Sequence, residues 1–357
     1  MNARERILAI LKREPVDRIP VDIWHTDEVY QALLKHYAAS DDLELYRKMG
    51  VDKMVWVFPT YTPPGEAEAT GSTHLGAAPK SMWGTPLREI QAGQATYQEF
   101  GEGPLAEYQT PESIDEYPFW PDPDRFDYDT MTAQAERAHS DFTVLGPWVS
   151  LFEIYCQMRG FENSMIDLLT YPQLVNAVLD RIERCQTEMM QRFFERAAEW
   201  IDMVFVSDDM GNQNSLFMAP EVWDRYFKDR LKRWCDLIHD HGLKVFYHSD
   251  GAVGDLIPRL IDCGLDILNP IQHACPGMDR EDLKREYGDR VIFHGGIENQ
   301  KILPFGAPDD VRSEVRECLR TLGKGREGYI VCSCHNIQPG TPVENIVAMV
   351  ETVHGEG

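Results

Sequence analysis

Short apolar runs rich in β-branched and aromatic residues recur eight times: residues 19–24 (IPVDIW), 51–58 (VDKMVWVF), 142–148, 203–211, 243–251, 266–271, 291–297 and 329–334. Helical patterns separate most of them, as in residues 220–241 (PEVWDRYFKDRLKRWCDLIHDH). Strands that are apolar throughout, instead of alternating, are buried on both faces, the condition of parallel strands covered by crossover helices. Eight such units predict a closed (β/α)8 TIM barrel. At 357 residues the expectation is one barrel domain over residues 1–357, because such barrels run to about 250 residues before insertions.

Two stretches depart from the rhythm. Residues 2–14 carry apolar side chains at helical spacing, and Pro15 stops that helix ahead of the first strand. Residues from about 60 to 125 are rich in Gly, Pro, Thr and Glu, which predicts an insertion of short strands and loops after the second strand. WGTPLREIQ and ATYQEFGEGPL leave room for a hairpin there, with alternation too weak to set its register.

Composition narrows the function. A 43% hydrophobic and 26% charged chain has ample material for a core. Its net charge of −24 repels nucleic acid and anionic lipid, leaving a small molecule or a protein as partner. Solubility alone would also account for that charge. Arg4, Glu5, Arg6, Lys12, Arg13 and Glu14 break up the first apolar stretch, so a cytoplasmic protein is expected. The eight cysteines show no paired CxxC spacing, so no disulfide framework is expected.

Barrel enzymes carry their chemistry at strand C-termini, and here those ends are polar. The first ends at Trp24-His25, the fourth at Ser207-Asp208-Asp209, the fifth at His248-Ser249-Asp250 and the sixth near Asn269 and Gln272. The seventh ends at His294 and Glu298, and the eighth at Cys332-Ser333-Cys334-His335-Asn336. His248 and Asp250, two residues apart, point to the same side of an extended strand end. Together with Cys334 or His335 they offer the mixed N, O and S shell that zinc accepts with one position open. The competing reading has His248 and Asp250 bonding each other and nearby helix N-termini.

Asp208, Asp209 and His335 are the catalytic candidates, with helix capping the alternative for at least one aspartate. Cys334 beside His335 fits a thiolate of lowered pKa, or a small buried hydrophobe. Trp24, His25, Glu153, Gln213, Gln272, His294 and Glu298 are candidates for substrate contact. Taken singly, His25, His74 and Glu153 also suit structural roles.

Four segments carry a family resemblance: residues 3–21 (ARERILAILKREPVDRIPV), 220–251 (ending LKVFYHSDG), 294–315 (HGGIENQKILPFGAPDDVRSEV) and 335–354 (HNIQPGTPVENIVAMVETVH). They resemble the uroporphyrinogen decarboxylase-like superfamily. That family has a cofactor-free decarboxylase branch and a zinc-dependent branch exchanging methyl groups with corrinoid proteins. Decarboxylases carry an Arg segment after the first strand and an Asp ending the second, whereas DIWHTDEVY has no Arg and VWVFPTYTPPG no Asp. The methyltransferase branch shows His-x-Cys at the fifth strand and a later Cys before a Gly-Ile-x-Pro-x-Thr-Pro-like turn. Here those positions read His248-Ser249-Asp250 and His335, the latter preceded by Cys334.

The resemblance therefore implies a methyltransferase moving a methyl group from a small ether, amine or thiol donor to or from a corrinoid protein, assisted by zinc. A divergent uroporphyrinogen decarboxylase and a non-catalytic corrinoid- or porphyrin-binding barrel are the alternatives. A homodimer is compatible with the family's habits.

Overall fold

The computed structural model describes residues 1–63, 80–92 and 95–357; His74 lies outside them. Among the described residues nine strands are formed: β1 Met54–Trp56, β2 Leu87–Ala92, β3 Ala95–Phe100, β4 Thr143–Val149, β5 Met203–Ser207, β6 Lys244–His248, β7 Ile267–Asn269, β8 Ile292–Ile297 and β9 Tyr329–Ser333. Seven make one parallel sheet in the order β1-β4-β5-β6-β7-β8-β9. The other two pair antiparallel, Leu87 opposite Phe100 and Ala92 opposite Ala95, and supply the hairpin and register that sequence left open.

Residues 20–22 close the curled sheet into a barrel. Val331 N bonds Pro20 O at 2.9 Å and Asp22 N bonds Val331 O at 2.8 Å, while Asp52 N bonds Val21 O at 2.6 Å on the other side. The eight staves stand where the apolar runs put them, but the first consists of isolated parallel bridges, Val21 to Val331 and His25 to Ile337. Pro20 has no N–H to extend its ladder.

Every residue of β4, β5, β8 and β9 is buried, as strands covered on both faces must be. The helices supply the cover. Pro172–Ala197 turns Leu174, Val178, Leu179, Ile182, Met189, Phe193 and Ala197 to the core, the three-and-four spacing of one helix face. Each fully buried aliphatic or aromatic side chain contributes about 1.5–3 kcal/mol.

At the end opposite the strand C-termini, helix Ala3–Leu11 is pinned by a capping box between Asn2 and Glu5. Its buried Arg6 pairs with Asp17 and Asp52, and Arg18 reaches Asp52 Oδ2 at 2.6 Å. Among the described residues no helix is long and apolar enough to cross a membrane.

Candidate active site at the barrel mouth

The strand C-termini surround a cavity of about 350 Å³ with a mixed aromatic and polar lining. Its aromatic lining is Trp24, Trp56, Phe58, Trp148 and Phe205, of which Trp24 and Phe205 lie 5.8 and 5.6 Å from the His248 ring. Trp56 stacks on Phe58 at 5.2 Å and meets Phe205 edge-on at 4.3 Å; Trp24 meets Trp56 edge-on at 5.1 Å. The remainder holds Glu153, Ser207, Asp209, His248, His335 and Asn336, with His25, Tyr46 and Lys53 at one flank.

His248, Asp250 and His335 each present one ligand atom, and these atoms lie within 4.8 Å of one another. His248 Nε2 is 3.9 Å from Asp250 Oδ1 and 3.6 Å from Asp209 Oδ1. Asp250 Oδ1 is buried and has no hydrogen-bond donor among the described residues. Leaving such an oxygen unsatisfied is costly, and a cation would satisfy it. The donor set of two imidazole nitrogens and a carboxylate oxygen fits zinc with an open position. Burial pulls the His335 pKa down, against the pull of Asp250, so the ring favours the neutral form that ligates.

Two carboxyl groups take different parts. Asp208 Oδ1 accepts from Ser150 Oγ at 2.7 Å and from the backbone N–H groups of Leu151, Phe152 and Glu153 at 3.0, 2.7 and 3.1 Å. It thus caps helix Phe152–Arg159 from another strand's end, the capping alternative raised above for one of the two aspartates. Burial outweighs those donors and pushes Asp208 up to about 7. Asp209 instead lines the cavity and accepts from Asp250 N at 2.8 Å. That cap sets Glu153 in the first turn of the helix, where Ser207 Oγ approaches its Oε2 at 3.3 Å. Burial, then the charges of Asp209, Asp208 and Asp250, push the Glu153 carboxyl well above the usual range.

The other candidates scatter. His25 Nε2 meets Tyr46 OH at 3.1 Å at the cavity flank, and burial lowers its pKa to about 4, with Lys53 adding to the shift. Gln213, Gln272, Glu298 and Cys334 line a separate small crevice. Gln272 Oε1 accepts from Gly251 N at 2.6 Å. Glu298 caps the turn at residues 300–302 through three backbone N–H groups. The Cys334 thiol donates to Ile271 O at 3.3 Å, away from the His248 cluster. Burial pushes its pKa up, opposite to the direction a thiolate needs. His294 is wholly buried beneath the cavity, bonded to Asp22 and Asn269.

Trp56, Phe58, Trp148, Phe205 and Lys53 were not among the sequence candidates. Lys53 had a legible signal, a cation inside an apolar strand run; the aromatic residues did not, since aromatic side chains in strands ordinarily belong to the core.

Fold and site together define a (β/α)8 barrel with a ligand cavity at its C-terminal face. A family model described as uroporphyrinogen decarboxylase (URO-D) matches residues 95–356, and the chain belongs to that family. The uroporphyrinogen decarboxylase of Pseudomonas fluorescens is 23% identical to it, over 98% of this chain and 96% of that protein. A Coxiella burnetii uroporphyrinogen decarboxylase is 33% identical over 200 residues, 55% of this chain and 51% of that protein. Among solved structures, a methyltransferase from Methanosarcina mazei superposes with a TM-score of 0.66 at 17% identity, covering 99% of both chains. That likeness establishes a shared fold.

Proposed function

We propose that the protein is a methyltransferase that takes a methyl group from a small donor and passes it to a corrinoid protein, with a zinc ion held by His248, Asp250 and His335. The observation carrying this reading is the cavity's mixed lining, in which aromatic rings lie beside a cluster of two imidazoles and three carboxyl groups. The Methanosarcina mazei protein that shares the fold is described as a methyltransferase, which supports the reaction class.

A zinc ion in that cluster would act as a Lewis acid on the donor's heteroatom. The chain supplies the rest. Trp24, Trp56 and Phe205 hold an apolar or aromatic donor and exclude water. As the bond from heteroatom to methyl carbon breaks, its electron pair stays on the heteroatom. Glu153, kept protonated by burial and its acidic neighbours, delivers the proton that makes this group leave. An acid of this kind matters most for a methyl ether, whose alkoxide or phenoxide leaves poorly.

Relatives named as decarboxylases give the second reading, and the cavity counts against it. About 350 Å³ is at the small end of ligand sites, which span about 300–1,000 Å³, and suits a small donor better than a macrocycle. The cavity's one Lys or Arg among the described lining residues, Lys53, is already paired with Asp22 at 3.2 Å, leaving propionates facing Glu153 and Asp209.

Metal analysis of purified protein, beside His248→Ala, Asp250→Ala and His335→Ala variants, tests the proposal. About one zinc per chain in the parent, lost in the variants, is the expected result. No metal after preparation with zinc present, or CO2 release from uroporphyrinogen, would overturn it.

A further inference from the structure

A buried chain of hydrogen bonds runs beneath the cavity. His248 Nδ1 lies 2.5 Å from Asn269 Oδ1, Asn269 Nδ2 lies 2.7 Å from His294 Nδ1, and His294 Nε2 lies 3.1 Å from Asp22 Oδ2. Asp22, Asn269 and His294 are wholly buried. Taken alone, each contact permits two polarities, because an imidazole nitrogen donates or accepts according to tautomer and an amide can be turned over.

Taken from its far end, the chain permits one. Asp22 is surrounded by donors: Lys53 Nζ at 3.2 Å, Ile23 N at 2.8 Å and Trp24 Nε1 at 2.9 Å. An ionised carboxylate only accepts, so His294 Nε2 carries the proton and His294 Nδ1 offers a lone pair. Asn269 must turn its NH2 to that lone pair, which leaves its carbonyl oxygen toward His248. His248 Nδ1 then carries a proton, and it is Nε2 that is turned to the cavity. Asp209 Oδ1 and Asp250 Oδ1 lie 3.6 and 3.9 Å from that nitrogen. With His335 close by, these atoms face one another as a seat for a cation.

Asp22 and His294 also lie near Cys332 in a group compact enough for a metal. Their facing atoms are engaged in the relay and the Lys53 ammonium sits beside them, so that group does not serve as a second seat.

We propose that Asp22, His294 and Asn269 are positioning residues that fix the His248 tautomer, so that Nε2 faces the cation seat. The proposal rests on His248 being the ligand of the reading above. It predicts that a carboxylate three side chains away decides which nitrogen of His248 meets the metal.

Histidine 15N NMR of the metal-free protein, with the His248 signal assigned through His248→Gln, reads the tautomer directly. Protonation at Nδ1 is expected in the parent and in Asn269→Asp, which still accepts from Nδ1. A mixture of tautomers is expected in Asn269→Ala. Zinc affinity measured against a competing chelator should fall about 10–100-fold in Asn269→Ala and stay near the parent's in Asn269→Asp, a split that loss of packing would not produce. His294→Leu leaves both Asn269 and His248 in place and should give the same mixture, which keeps the test decisive if an Asn269 variant fails to fold. Retention of the pure Nδ1–H form in both Asn269→Ala and His294→Leu would overturn the proposal. A parent that keeps the tautomer yet takes up no zinc would sustain the relay and remove the metal reading instead.

Discussion

Glu153 and His25 show how one cavity shifts two groups by the same force. For Glu153, burial among aspartates favours the neutral acid; if it protonates the leaving group, Glu153→Gln should slow transfer from a methyl ether about 10²–10⁴-fold. Transfer from a quaternary ammonium donor, whose amine leaves neutral, should hardly change, and steady-state rates on the two donors check this. For His25, burial lowers the pKa from 6.5 to about 4. Between those values the unfolded chain binds the proton and the folded one does not, so folding stability is complete above about pH 6.5 and declines as pH falls toward 4. The decline should reach about 3 kcal/mol. Urea titrations at pH 7 and pH 4.5 should therefore show a smaller difference for His25→Phe than for the parent.

At the scale of elements, the mouth is organised by caps that cross from one strand end to the next. Asp208 closes the N-terminus of Phe152–Arg159 although it follows β5, and the far end of that helix is held as firmly. Arg159 is 2% exposed, pairs with Asp167 at 2.7 Å and donates to Tyr108 O at 2.8 Å. The helix is fixed at both ends, and Glu153 with it. Asp208→Ala should cost about 1–2 kcal/mol of stability while leaving zinc content unchanged, which denaturation and metal analysis together would show. Loss of metal at unchanged stability would instead place Asp208 among the ligands.

For the whole molecule, closure of the ring depends on one buried carboxylate. Asp52 is wholly buried, takes Arg6 and Arg18 as partners and accepts Val21 N at 2.9 Å. It joins the N-terminal helix, the first stave and the approach to β1 at the point where the bridged stave is weakest. Removing one partner of a buried pair leaves the other charge uncompensated, typically at 3–5 kcal/mol. Asp52→Ala should lower the urea midpoint accordingly, and more than Asp17→Ala, whose side chain is 45% exposed.

The number, order and parallel sense of the barrel staves were determined by the sequence alone, because continuous apolar runs separated by helical periodicity have few other ways to be buried. Strand ends likewise put His248, Asp250 and His335 together at the barrel mouth, since position on a strand fixes which end of the barrel a side chain serves. What only the tertiary structure decided was which polar groups meet. Asp208 turned to a helix cap and Asp209 to the cavity although they are neighbours in sequence. Cys334 faced a backbone carbonyl, and Asp22, His294, Asn269 and Lys53 came from four different staves to one buried network. The physical reason is that local pattern sets each side chain's direction from its own backbone, whereas hydrogen-bond partners are set by barrel closure, which brings residues 272 positions apart to 3.1 Å.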